Sequence, residues 1–182
     1  MRCLALCVVV LLTCGVSVGQ EKSALPNDVR EMMGYLVGFW KLEGTVDGSP
    51  MQGAMSVRWS PGNHCQIYNG KMWKKGDRQS LVHLTVICGY DAAKDQAVET
   101  AYWSDGSHAV SRYNMTPRIV DEGTIEGERS GVFDGENIAG TIKAERKGRD
   151  EFDWEVSQKN GGKVKFRFRR AEPPQRREKV EK

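Results

Sequence analysis

From Gly38 onward the chain alternates between short runs rich in Val, Ile, Thr, Trp, Tyr and Phe and clusters of turn-forming residues. The clusters are Asp47-Gly48-Ser49-Pro50, Ser60-Pro61-Gly62-Asn63, Lys75-Gly76-Asp77, Asp91 to Asp95, Asp105-Gly106, Asp134-Gly135 and Asn160-Gly161-Gly162. β-branched and aromatic residues suit a pleated, half-buried surface, and Asn, Asp and Gly supply the backbone angles that hairpins need. The pattern predicts an all-β chain of about ten antiparallel strands. Ahead of it, Val29, Met32, Met33, Leu36 and Val37 recur at helical spacing and predict one short helix from Pro26-Asn27. Asn27 is the expected cap, and Gly34 and Gly38 weaken the helix end. A Met-rich stripe at this spacing reads as core packing.

Hairpin registers follow from turn positions, because directly opposed residues on antiparallel strands share a face. A three-residue loop at 160–162 opposes Val156 to Phe166 and Trp154 to Phe168. The other face then pairs Glu155 with Arg167 and Asp153 with Arg169. The basic run Lys163-Lys165-Arg167-Arg169 therefore reads as a solvated face whose neighbours cancel its charge, not as a nucleic-acid patch. A two-residue loop at Gly76-Asp77 sets Cys65 opposite Cys88. A two-residue loop at Asp105-Gly106 sets Glu99 opposite Arg112 and Trp103 opposite His108, and leaves either face of that hairpin free to line a lumen.

Composition fits one folded domain: 182 residues, 28% charged and 39% hydrophobic. A net charge of +3 is too small for a nucleic-acid binder driven by bulk electrostatics. Residues 1–19 resemble a secretory signal peptide. A positive start at Met1-Arg2 is followed by an apolar run from Cys3 to Thr13 and small residues at Ser17 and Gly19. The run is too short to span a bilayer, so no membrane span is expected in the mature chain. A lipid-attachment box at Leu11-Leu12-Thr13-Cys14 is the weaker alternative. The expected organisation is a signal peptide at 1–19, a lead-in at 20–26, a barrel domain at 27–170 and a disordered tail at 171–182. Secretion or periplasmic location follows. Cys65 and Cys88 are the cysteines left after the leader, and a cross-strand disulfide between them is expected in an oxidising compartment. Two free thiols are the alternative.

The segment Gly38-Phe39-Trp40 resembles the Gly-x-Trp that opens the first strand of lipocalins and other calycins. The resemblance implies a closed up-and-down antiparallel barrel whose end is plugged by Trp40, with Arg170 or Arg169 stacked over the indole. A bacterial group of lipocalin-like domains of unknown function is similar over a longer stretch, about residues 30 to 170. The similarity lies in Leu36-Val37-Gly38-Phe39-Trp40, Gly53-Ala54-Met55-Ser56-Val57 and Gly89-Tyr90-Asp91. It implies no established activity. The haem-binding ten-stranded barrels also open with Gly-x-Trp, but none of His64, His83 or His108 matches their iron ligand by motif. A two-sheet sandwich is the structural alternative.

No nucleophile elbow, zinc-protease motif, Cys-x-x-Cys or phosphate loop occurs. No enzyme activity, metal or cofactor is therefore expected. Asn114-Met115-Thr116 matches a glycosylation sequon, with Pro117 behind it disfavouring use. The expected function is a secreted binding module that holds a small apolar or amphipathic ligand in its lumen. Candidate lumen residues are Glu99, Tyr102, Trp103, His108 and Arg112, with Trp40 and Trp154 as aromatic wall. The alternative is a structural or interaction protein of the envelope with a barrel filled by side chains. Oligomeric state is not legible.

Overall fold

The structure, a computed structural model, describes residues 25–114 and 123–174. Residues 1–24, which include the signal-peptide reading, lie outside the described residues, as do Thr116 of the sequon and 175–182 of the tail. One helix, α1 (Asn27–Leu36), precedes ten strands. These are β1 (Gly38–Val46), β2 (Ser49–Trp59), β3 (Cys65–Lys74), β4 (Asp77–Asp91), β5 (Gln96–Trp103), β6 (His108–Asn114), β7 (Thr124–Phe133), β8 (Glu136–Arg146), β9 (Glu151–Gln158) and β10 (Lys163–Ala171).

Each strand pairs antiparallel with its sequence neighbours, and β1 pairs with β10 from Phe39↔Ala171 to Val46↔Val164. That last pairing closes the barrel and removes both edges, which excludes the open sandwich. The alternation in the sequence becomes an inside and an outside. Trp40, Leu42, Val156, Phe166 and Phe168 point inward and are buried, while Lys165, Arg167 and Arg169 point outward and are exposed.

Turn chemistry accounts for the registers. At Asp47-Gly48 and Asp134-Gly135 both residues have positive φ, as a two-residue type I′ hairpin requires. The β5–β6 and β9–β10 hairpins differ from the sequence expectation. Trp103 N–H donates to Ser107 O, and Gln158 N–H to Gly162 O, each around three loop residues whose last is a left-handed glycine, Gly106 or Gly161. The β9–β10 pairs are therefore Val156↔Val164, Glu155↔Lys165, Trp154↔Phe166 and Asp153↔Arg167. Both faces keep their character, but every partner moves by two residues. In β5–β6 the shift is by one, and Glu99 faces Ser111 instead of Arg112.

Tight curvature is made by glycine. A Cβ on Gly131 would sit 2.0 Å from Val110 O, and one on Gly140 2.0 Å from Ser157 O. The strands bend so sharply there that no larger residue fits.

Trp40 lies at the α1 end of the barrel. Trp40 is 1% exposed and donates from Nε1 to Leu36 O at 2.7 Å. Its ring meets Phe152 edge-on at 5.0 Å, and Phe152 stacks on Phe168 at 4.3 Å. Of the two arginine candidates, Arg170 is the one over the indole, its guanidinium carbon 4.3 Å from the ring centre. It also donates to Val37 O at 2.8 Å and Tyr35 O at 3.0 Å, satisfying carbonyls at the helix end. Arg169 instead pairs on the outer face with Glu151. Gly38 has φ +137°, and a Cβ there would meet Arg170 Nη1 at 2.6 Å. The expected Asn27 cap is not made. Pro26 occupies the cap position, and Asn27 lies inside the first turn.

Cys65 and Cys88 are free thiols, not a disulfide. The β3–β4 ladder carries an irregularity between Met72 and Lys74, where Lys74 pairs Asp77 but Met72 pairs Val82. The extra β4 residues shift the register by an odd number. Cys65 then faces Gly89 and Cys88 faces Gln66, so the two cysteines point to opposite faces.

Candidate functional site

The inner faces of β3–β7 carry a connected set of polar side chains. Gln66, Tyr68, Cys88, Glu99, Ser111, Tyr113 and Arg129 all occupy inward positions, as the ladders Gln66↔Cys88↔Glu99↔Ser111 and Tyr113↔Arg129 show. The floor of this region is α1. Gln66, with no exposed surface, donates from Nε2 to Met33 O and accepts from Tyr68 OH at 2.9 Å. Val29 and Met33 are buried at the same end, and Met32 packs against Tyr113 and Ala97.

Glu99 and Arg129 are the charged pair of the region, yet they do not bond to each other. Tyr113 OH donates to Glu99 Oε1 at 3.2 Å. Arg129 donates from Nη2 and Nε to Ser111 Oγ at 2.9 and 3.3 Å, and its guanidinium lies 6.0 Å from the Tyr113 ring centre. Among the described residues no ion pair joins Glu99 to Arg129. Burial pushes the Glu99 carboxyl up from its ordinary range, while the Arg129 charge and the Tyr113 hydrogen bond pull it back. Burial also raises the Cys88 thiol to about 12, with the Glu99 charge acting in the same direction. Tyr68 and Tyr113 are raised for the same reason. The two phenols and the thiol are therefore neutral hydrogen-bonding groups at physiological pH.

Above this polar layer the lumen becomes apolar. Val86, Ala101 and Ala109 are buried on its wall, with Leu84 and Trp103 packed beside them. Trp103 meets Phe133 edge-on at 5.7 Å near the short turns of the mouth. Phe133 is 40% exposed although it points inward. Tyr68, Leu84, Cys88, Glu99, Trp103 and Arg129 are likewise inward-facing and only half-buried. Inside a closed barrel, that residual exposure means that water reaches them through the lumen.

The expected site residues divide between the two faces. Glu99 and Trp103 face the lumen, as do Trp40 and Trp154. Tyr102, His108 and Arg112 are placed on the outer face. Tyr102 is 52% exposed and opposes His108, which in turn lies 3.5 Å from Asp134. Arg112 opposes Val98 and Ser130. Sequence reasoning missed Gln66, Tyr68, Ser111, Tyr113 and, the charged one among them, Arg129. A signal for it exists: Ile125, Gly127, Arg129, Gly131 and Phe133 share one face of β7, so a cation interrupts the apolar side of the alternation.

Among the described residues no group of three or more His, Cys, Asp or Glu could hold a metal ion. No helix among them is long and apolar enough to cross a membrane. No family model matches the chain, and no curated protein matches it. Solved structures that it is similar to include a de novo designed fluorescence-activating β-barrel, at 14% identity and a TM-score of 0.45, covering 76% of this chain and 96% of that one. Another is a redesigned β-barrel, mFAP1, bound to DFHBI, at 17% identity and a TM-score of 0.37, covering 76% of this chain and 97% of that one.

Proposed function

We propose that the protein is a non-enzymatic binding module of the lipocalin-like type, exported by residues 1–19, that takes a small amphipathic molecule into its lumen. The polar end of the ligand lies against Glu99 and Arg129, and its apolar end lies between Trp103, Phe133 and Leu84. One observation carries this reading. Glu99, Tyr68, Cys88 and Arg129 face inward at mid-barrel and still keep surface that water can reach. A barrel filled by side chains would leave them none. Apolar walls with a few convergent polar groups are the ordinary composition of small-molecule sites.

Titration with Nile red, a neutral polarity-sensitive dye, tests the reading. The dye is expected to brighten and shift to shorter wavelength in the native protein. Leu84→Trp, which fills the lumen above Glu99, is expected to abolish that response while leaving the far-UV spectrum and Tm intact. Absence of dye binding, together with a native mass free of adducts, would favour the side-chain-filled barrel instead. N-terminal sequencing of protein exported by its own host checks the leader, with a start near residue 20 expected.

A further inference from the structure

The middle of the lumen holds one cation and one anion and leaves both partly unsatisfied, which constrains the head group it accepts. Glu99 and Arg129 are the charged side chains that face the middle of the lumen from β4–β7. Arg129 spends Nε and Nη2 on Ser111, and Glu99 spends Oε1 on Tyr113. Arg129 Nη1 and Glu99 Oε2 have no hydrogen-bond partner among the described residues, and neither is sealed from water. Arg129 has glycines on three sides of it on the inner face. Its inner-face neighbours along β7 are Gly127 and Gly131, and its partner across on β8 is Gly140. No side chain at these three positions covers the guanidinium, and neighbouring backbone oxygens lie within 2.8 Å of where each Cβ would sit.

Resting on the lumen-binding reading above, we infer that the ligand's head group is uncharged overall and carries both an acceptor, for Arg129 Nη1, and a donor, for Glu99 Oε2. This is the chemistry of a primary amide or a lactam, not of a fatty carboxylate or an alkyl amine. A neutral head that bridges the two leaves the charges of the lumen balanced. A carboxylate would satisfy Arg129 but meet the Glu99 charge, and an ammonium would satisfy Glu99 but meet the Arg129 charge. In a space only partly open to water an unbalanced charge is costly, so discrimination is expected.

Displacement of Nile red by three ten-carbon compounds with a common chain tests this: decanamide, decanoate and decylammonium. At about pH 8 the last two are fully charged. The amide is expected to bind about tenfold or more tightly than either, given the penalty for an unpaired charge. Glu99→Gln removes the anion, and decanoate is then expected to bind tightest. Arg129→Met removes the cation, and decylammonium is then expected to bind tightest. The head-group inference is overturned if decanoate or decylammonium equals the amide on the native protein, or if neither substitution changes the order. In both cases lumen binding itself would stand. If Nile red does not bind, or no chain displaces it, the lumen-binding reading fails and takes the inference with it.

Discussion

The two sides of this barrel solve opposite problems. On the side of β9, β10, β1 and β2, the interior is filled. Trp40, Leu42, Val57, Phe152, Phe166 and Phe168 form one buried cluster, with Met51, Met55, Met72 and Trp154 packed against it. On the side of β4–β7 most of the buried apolar residues are small, Val86, Ala97, Ala101 and Ala109, and the larger inward side chains mix the polar set around Glu99 and Arg129 with the only partly buried Leu84, Trp103 and Phe133. Large aromatics fill one half and hold the barrel closed. Small residues and a polar network line much of the other. Stability is concentrated where the ring stack and Arg170 bind the helix to the barrel end, which frees the far wall to carry groups that weaken a core.

Truncation on the filled side should give the largest effect. Trp40→Ala or Phe152→Ala is expected to cost about 3–5 kcal/mol, measured by urea unfolding, because each leaves a cavity within a ring cluster. The contrasting substitution is Glu99→Gln, which removes a charge from the lumen and is expected to leave stability unchanged or raised. Equal losses at Trp40 and Glu99 would break the comparison. Next comes Arg170→Ala, which gives up the stack on Trp40 and two hydrogen bonds to the helix end, at about 1–3 kcal/mol. Arg170→Lys is expected not to restore it, since an ammonium cannot fork to Tyr35 O and Val37 O while stacking.

Acidification separates the two sides by sign. On the outer face of the filled side, hydrogen bonds from Lys163 and Lys165 hold the Glu155 carboxyl down to about 2. Asp153 is lowered by Arg167. These groups bind fewer protons folded than unfolded. Their contribution is present above the ordinary carboxyl range and lost as pH falls toward 2, and being largely solvent-exposed it is small. Glu99 is raised, so the folded state binds the extra proton, and lowering the pH through its folded value relieves a destabilisation. Glu155→Gln should therefore flatten the loss of stability on the acid side. Glu99→Gln should remove the loss that sets in as pH rises through the folded value of that carboxyl. Stability measured against pH for the two variants checks both signs.

The smallest effect is chemical. Two thiols are expected to react with an alkylating agent in the unreduced, denatured protein once residues 1–19 have been removed. In the native protein at about pH 8 Cys65 should react faster than Cys88, whose thiol sits at about 12 inside the lumen. A bridged mass would contradict the β3–β4 register.

Much of this molecule is local, and local features are legible in the chain. Alternation in each strand sets which residues share a face. Asp-Gly pairs set the turns, and Gly38-Phe39-Trp40 marked the tryptophan at the α1 end and brought the arginine over it down to two neighbours. The outer-face reading of Lys163 to Arg169 holds for the same reason, since moving every pair by two residues leaves the faces unchanged. What failed were partners that depend on register by a single residue. Gly106 as the third residue of its loop moved Glu99 from Arg112 to Ser111, and the irregularity near Met72 separated Cys65 from Cys88. Because side chains alternate with a period of two, a one-residue slip turns each expected neighbour to the other face. Arg129 lies beyond any hairpin arithmetic, two strands away from Glu99. The sequence by itself determined an all-β chain with alternating faces, a helix ahead of it and a tryptophan at its α1 end. Only closure of the barrel decided which side chains meet across the lumen, because that depends on the summed registers and curvature of ten strands and on no single one of them.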